Sequence, residues 1–306
     1  MKICHEIVDL RFLGTLANRI PVIPCTPMIT YPVIDSTLLT LGPVSIHWYG
    51  MMYVVGFLGG WWLGRRRVGK PGMVWDAKQV DDIVFYIVLG VVLGGRIGYI
   101  LFYNFSEFLA NPLVLIKVWN GGMSFHGGLL GVLLAMWYFA RKHGRTFYEA
   151  TDFIAPLVTI GLGAGRIGNF INAELWGGVT DLPWGMRVPC SVGEALCARL
   201  GLPMDAEYSL PVHPSQLYES FLEGLVLFLI LWTFSARPRP RMAVSGLFLV
   251  CYGIFRFMVE FVRMPDQHIG YLAFDWLTMG QLLSLPMILF GALLLFLAYR
   301  PKISQG

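Results

Sequence analysis

Arg166, Asn169, Asn172 and Glu174 fall within nine positions, directly after a stretch from Phe153 to Gly165 that carries no charge. On a helix, Arg166, Asn169 and Asn172 recur at i, i+3 and i+6 and share roughly one face. A guanidinium near hydrocarbon costs at least about 2.5 kcal/mol, so such groups normally face a protein interior or a wet cavity. An arginine snorkelling to a headgroup is the alternative, and the neighbouring amides and carboxylate weigh against it. A second set, Arg256, Glu260 and Arg263, repeats at i, i+4 and i+7. Arginine forks are planar, permanently charged and suited to phosphate. Ser124-Phe125-His126-Gly127-Gly128 sets an imidazole among glycines, where a substrate can approach backbone. Histidine, with an ordinary pKa of about 6.5, is a natural proton acceptor near neutrality. An interface histidine bonded to a carbonyl fits the same spacing equally well.

Other polar residues read more plainly. Glu260 is first an intrahelical partner of Arg256 or Arg263, and a catalytic group only second. His47, beside Trp48 and Tyr49, suits an interfacial belt. In His213-Pro214-Ser215-Gln216-Leu217-Tyr218-Glu219 the carboxylate sits where a helix begins and reads as a cap. A metal site from His126, His213 and Glu174 has no H-E-x-x-H or similar spacing behind it. Ser124 lacks the G-x-S-x-G context of a serine hydrolase. The five cysteines show no CxxC pair, and no nucleic-acid motif occurs.

The elements that must position these groups follow from composition. Of 306 residues, 56% are hydrophobic and only 14% charged, against about 25% charged in soluble domains. Mean hydropathy is +0.62. These values indicate an all-α, polytopic integral membrane protein. Runs near 47–64, 82–103, 122–140, 152–172, 217–235, 244–262 and 279–299 approach the 20 or so apolar residues a span requires. Seven transmembrane helices are therefore expected. Basic residues follow the first run (Arg65, Arg66, Arg67, Lys70), the third (Arg141, Lys142, Arg145), the fifth (Arg237, Arg239, Arg241) and the seventh (Arg300, Lys302). The positive-inside rule makes those ends cytoplasmic. The N-terminus is then periplasmic, the C-terminus cytoplasmic, and 173–216 a large external loop between the fourth and fifth helices.

Depth follows from a helical rise of about 1.5 Å per residue. Arg166 lies about 20 Å from the inner end of its run, in the outer third. Arg256 falls near mid-membrane and Arg263 near the outer rim. Arg96 and Tyr99 occupy the outer half of the second run, and Tyr49 and His126 lie one or two turns below the outer surface. The intramembrane polar groups thus converge on the external half. A transporter should spread them towards both faces or break helices at the midplane. The residues alone point to an enzyme acting on an outer-leaflet phospholipid or other anionic lipid. The competing classes are a transporter or channel, and a different lipid transferase, which should carry a paired-aspartate metal motif that the sequence lacks.

The whole motif Gly165-Arg166-x-Gly168-Asn169-Phe170-x-Asn172-x-Glu174-x-Trp176-Gly177 resembles the signature of the bacterial prolipoprotein diacylglyceryl transferases. His47-Trp48-Tyr49-Gly50, Gly94-Gly95-Arg96-x-Gly98-Tyr99 and Gly121-Gly122-Met123-Ser124-Phe125-His126-Gly127-Gly128 are similar to that family too. So are the His213 to Glu219 stretch, Tyr252-Gly253-x-x-Arg256, Glu260-Phe261-x-Arg263-x-Pro265-Asp266 and Met279-Gly280-Gln281. The likeness runs from about residue 30 to 300, in order. It implies transfer of diacylglycerol from phosphatidylglycerol to the lipobox cysteine thiol of a prolipoprotein, at the periplasmic side of the bacterial inner membrane. The product is a thioether and the leaving group glycerol phosphate. On that reading His126 accepts the thiol proton, with Tyr49 or Tyr252 as partners, and Arg166 and Arg256 hold the departing phosphate. Asn169, Asn172, Glu174, Gly177, Glu260 and Arg263 complete the phosphatidylglycerol site, and neither metal nor organic cofactor is required.

Two segments stand apart. Residues 1–27 fall outside the likeness and contain neither a span nor a signal peptide. They read as a periplasmic arm or as an upstream start, so a chain beginning at Met28, leading through residues 28–306 as one transferase domain, is expected to be active. Cys190 and Cys197 lie in the external loop, where cysteines can pair, although their spacing leaves pairing open.

Overall fold

The computed structural model describes residues 29–42, 44–69, 74–117, 121–265 and 270–300. The expectations for residues 1–27 lie outside them. The fold is mostly helical, and each apolar run coincides with a long helix. In chain order these are α1 (Trp48–Arg67), α2 (Ala77–Tyr103), α3 (Phe125–Lys142), α4 (Phe147–Ile171), α5 (Ser215–Phe234), α6 (Ala243–Glu260) and α7 (Met279–Tyr299). Among the described residues, five are long and apolar enough to cross a membrane: α2, α4, α5, α6 and α7. Helices α1 and α3 end in Arg65-Arg66-Arg67 and Arg141-Lys142 and carry several Trp, Tyr and Gly residues, which lowers their hydropathy.

Three helices begin earlier than, or level with, their apolar runs because a capping box fixes the first turn. Asp76 accepts from Gln79 N ahead of α2, Thr146 from Glu149 N ahead of α4, and Thr278 from Gln281 N ahead of α7. In each the N3 side chain returns a bond to the cap backbone, satisfying two otherwise free amides. The first turns of α2 and α4 are polar, so hydropathy places these helix starts about one turn too late.

Packing joins α2 to α3, α1 to α4, α6 to α7, and α4 to α5 and α6. Between α2 and α3 the backbones nearly touch. A Cβ on Gly94 would lie 2.9 Å from Gly131 Cα, and one on Gly98 would lie 2.7 Å from Gly127 Cα. Small residues permit such close approach where lipid offers no hydrophobic drive between helices. An apolar core of Trp75, Val80, Ile83, Phe139, Phe153 and Leu157 fills the end of the bundle remote from His126. Leu227, Leu231 and Val244 with Ala155 fill the α4–α5–α6 contact. At the start of α6, Asp152 accepts bonds from Met242 N (2.8 Å), Ser245 N (2.7 Å) and Ser245 Oγ (2.6 Å), so α4 supplies the cap that α6 lacks in its own sequence.

Strands are few, and hydropathy alone did not anticipate them. Thr37–Leu41 pairs antiparallel with Val44–His47 just before α1, and Ile29–Thr30 pairs parallel with Met186–Arg187. Tyr31, from ahead of α1, joins Trp176, Val188, Leu196 and Val212 of the α4–α5 connection in a third apolar cluster, and Cys190 and Cys197 are disulfide-bonded. Tyr31 stitches this region to the helices: its hydroxyl donates to Phe170 O and Ile171 O, both at 2.9 Å.

Candidate functional site

Polar side chains gather where α4 and α6 end and α5 and α7 begin. The centre is Glu219, in the first turn of α5 and wholly buried. Arg166 Nε from α4 lies 3.0 Å from Glu219 Oε2. Arg263, just past α6, donates from Nη1 to Glu219 Oε1 at 2.6 Å, and Arg256 Nη1 donates to the same oxygen. Glu260 forms the second anchor. It pairs with Arg256 Nη2 and, at 3.2 Å, with Arg263 Nε, and it accepts from Thr278 Oγ1 at 2.6 Å. Glu223, one turn beyond Glu219, lies 3.7 Å from Arg166 Nη2. Three guanidiniums and three carboxylates thus share one interior site.

The layering of this cluster is informative. The side chains of Arg166, Arg256 and Arg263 remain 22%, 18% and 11% exposed, whereas those of Glu219 and Glu223 are at 0%. The carboxylates lie behind and the guanidiniums in front, so the accessible surface of the cluster is cationic. Residues Ser220–Val226, which follow Glu219 and include Glu223, form a π-helical segment of α5, an arrangement common at functional sites.

The segment after α4 is held in a constrained form. Ala173 and Leu175 adopt φ values of 53° and 62°, a region that costs non-glycine residues of order 1–3 kcal/mol. Surrounding bonds enforce it. Asn169 Nδ2 donates to Glu174 Oε1 at 2.8 Å and Asn172 Nδ2 to the same oxygen at 3.4 Å. Trp176 Nε1 donates to Ala173 O at 2.8 Å. From α5, Ser215 Oγ donates to Leu175 O at 2.8 Å, and the buried Gln216 donates to Glu174 O. Gly177 is hemmed in: a Cβ there would collide with Val262 O and lie 2.8 Å from His213 Cβ. Gly177 also bridges to Arg263, which ties the motif after α4 to the third arginine.

Of the residues expected from sequence, Arg166, Arg256, Glu260 and Arg263 meet in one cluster. Asn169, Asn172 and Glu174 bond to one another beside it. Tyr252 of α6 lies within electrostatic reach of Glu223, Arg166 and Arg256. Tyr49 of α1 packs where a Cβ on Gly168 would lie 2.9 Å from its ring, and its hydroxyl is 3.2 Å from that of Tyr53. His126 stands apart. It lines a cavity of about 410 Å3 with Phe102, Tyr103 and Ser124, and among the described residues it makes no hydrogen bond or ion pair with the arginines. Arg96 of α2 is buried. Its guanidinium donates to the carbonyls of Val114, Leu115, Lys117, Gly121 and Gly122, fixing the chain that leads into α3.

Nothing in the sequence marks Glu223, and the position of Glu219 at a helix start suits a cap; only its burial among cations from two other helices reveals its place. A second missed group joins Trp184, Tyr218 and His213: Trp184 Nε1 donates to Tyr218 Oη at 2.8 Å, and His213 Nδ1 lies 3.2 Å from that oxygen. Burial holds His213 below its ordinary pKa of 6.5.

Residues 36–297 match the family profile described as prolipoprotein diacylglyceryl transferase. A phosphatidylglycerol–prolipoprotein diacylglyceryl transferase of Azotobacter vinelandii is 58% identical over 273 residues, covering 89% of this chain and 97% of that protein. Its namesake in Pseudomonas aeruginosa is 55% identical over 278 residues, covering 91% and 98%. Another from Pseudomonas fluorescens is 56% identical over 273 residues, covering 89% and 97%. At that identity and coverage, the chain belongs to the prolipoprotein diacylglyceryl transferase family.

Proposed function

We infer that this chain transfers the diacylglyceryl group of phosphatidylglycerol to a cysteine thiol of a prolipoprotein. Support comes from 58% identity across 97% of a relative bearing that name, joined to a cluster that turns three guanidiniums outward. In the reaction the thiol loses its proton, a C–S bond forms at the glyceryl carbon, and the C–O bond to phosphate breaks. Glycerol phosphate leaves with the electron pair. Arg166 and Arg256 stabilise the negative charge that grows on the departing phosphate, which is the largest kind of catalytic term in a water-poor site. Arg263 holds the same anion from the rim. Asn169, Asn172, Glu174 and Gly177 keep Arg166 and the following turn in place, and Glu260 does so for Arg256 and Arg263.

A free thiol has a pKa of about 8.5 and needs a base. His126, which lines its own cavity, is that acceptor, with Tyr49 or Tyr252 as a partner. The acceptor cysteine therefore enters by the His126 cavity and the lipid phosphate from the arginine side. All seven long helices cross the inner membrane, with the N-terminus and the 173–216 loop periplasmic and the C-terminus cytoplasmic. The loop, with its own apolar cluster and disulfide, is a periplasmic subdomain covering the site.

The test is direct. Purified protein, phosphatidylglycerol vesicles and a lipobox peptide are incubated and the peptide is weighed by mass spectrometry. A diacylglyceryl adduct on cysteine is expected; its absence refutes the assignment.

A further inference from the structure

We propose that Glu219 is a positioning residue that aims all three arginines of the phosphate site. The proposal rests on the reading above that Arg166, Arg256 and Arg263 receive the lipid phosphate, and adds what holds them. Three observations carry it. Glu219 is completely buried, whereas each arginine keeps an exposed edge. Its two oxygens divide the work: Oε2 faces Arg166 Nε at 3.0 Å, and Oε1 receives both Arg256 and Arg263. These cations arrive from different elements, α4, α6 and the turn after α6, and among the described residues no other carboxylate contacts all three. Glu260 reaches only Arg256 and Arg263, and Glu223 only Arg166.

A guanidinium is a planar fork, so fixing one edge against a carboxylate fixes where the other edge points. Glu219 therefore sets the mutual angle of three forks on opposite walls of the site. It also balances charge. Its carboxylate offsets one guanidinium charge, and removing that negative charge leaves the cluster more positive. Loss of aim and gain of positive charge have opposite signatures. Misaimed forks slow the chemical step, whereas extra positive charge strengthens binding of an anionic lipid in the ground state. Glu219 touches no reacting atom in this account.

The experiment compares wild type, Glu219→Asp and Glu219→Gln in phosphatidylglycerol vesicles, reading kcat, KM for the lipid, and thermal melting. Asp keeps the charge but withdraws the carboxylate by one C–C bond, about 1.5 Å, so it cannot serve all three arginines. Its kcat is expected to fall about 100-fold, as misplacement by an ångström can, with KM within threefold and an intact melt. Gln is expected to lose at least as much kcat while KM stays level or drops. Variants within twofold of wild-type kcat overturn the proposal. So does a raised KM at unchanged kcat, which would make Glu219 a lipid contact, and so does failure of both variants to fold, which would make it a structural counter-ion. A wild type that forms no thioether sinks the reading of the site itself, whatever the variants do.

Discussion

Replacing Arg166 with Lys keeps a positive charge at the end of α4 but exchanges a five-donor fork for a compact ammonium. Because Arg166 Nε meets Glu219 and Nη2 lies near Glu223 while the side chain stays 22% exposed, Arg166→Lys should cost about 100-fold or more in turnover, the scale of losing one preorganised donor. Adduct formation by protein of normal melting behaviour checks it, and a near-wild-type rate would remove Arg166 from the phosphate site. His126→Gln should fold and be slow at every pH; an unchanged pH–rate profile would move the base to Tyr49 or Tyr252. His213 gives a stability prediction. Burial favours its neutral form, so its contribution is complete above the unfolded pKa of about 6.5 and is lost as pH falls below that towards the folded value. The melting temperature should therefore fall between pH 7 and pH 5, and less so in His213→Gln. Arg166, Asn169 and Asn172 were legible because polar groups in an apolar run are costly and must have a use. Glu219 was not, since a carboxylate at a helix start has an ordinary explanation and its three partners lie 37 or more residues away.

Among the elements, the α2–α3 crossing places His126, and its glycines are its most sensitive feature. A Cβ on Gly131 would run into Gly90 O and lie 3.0 Å from Gly94 Cα. Gly131→Ala should destabilise the protein by about 1–3 kcal/mol, the cost of overpacking, and lower activity through the fold. A melt equal to wild type would show that the helices part without cost. Apolar length predicted where the long helices lie, because burying some 20 residues in hydrocarbon leaves little choice. It did not predict the capping boxes that open α2 and α4 in polar sequence. Nor did it predict the pairing of Ile29–Thr30 with Met186–Arg187, or the Tyr31 bonds to the end of α4. Those contacts span more than 130 residues and have no local pattern to announce them.

For the whole molecule, the proposed orientation rests on polar side chains gathered at one end of the bundle and basic residues at the other. Reporter fusions at Arg145 and Arg239 should read cytoplasmic, and fusions at Asn111 and Gly193 periplasmic. A periplasmic signal at Arg145 would invert the site and contradict the account. Lipid, thiol and arginine cluster meet in one reaction, and one mass measurement tests the three together. Wild type and Arg166→Ala are each given phosphatidylglycerol or phosphatidylethanolamine, with a lipobox peptide carrying Cys or Ser at the acceptor position. A diacylglyceryl thioether is expected only with wild type, phosphatidylglycerol and Cys. An adduct on Ser, or an undiminished adduct from Arg166→Ala, would contradict it.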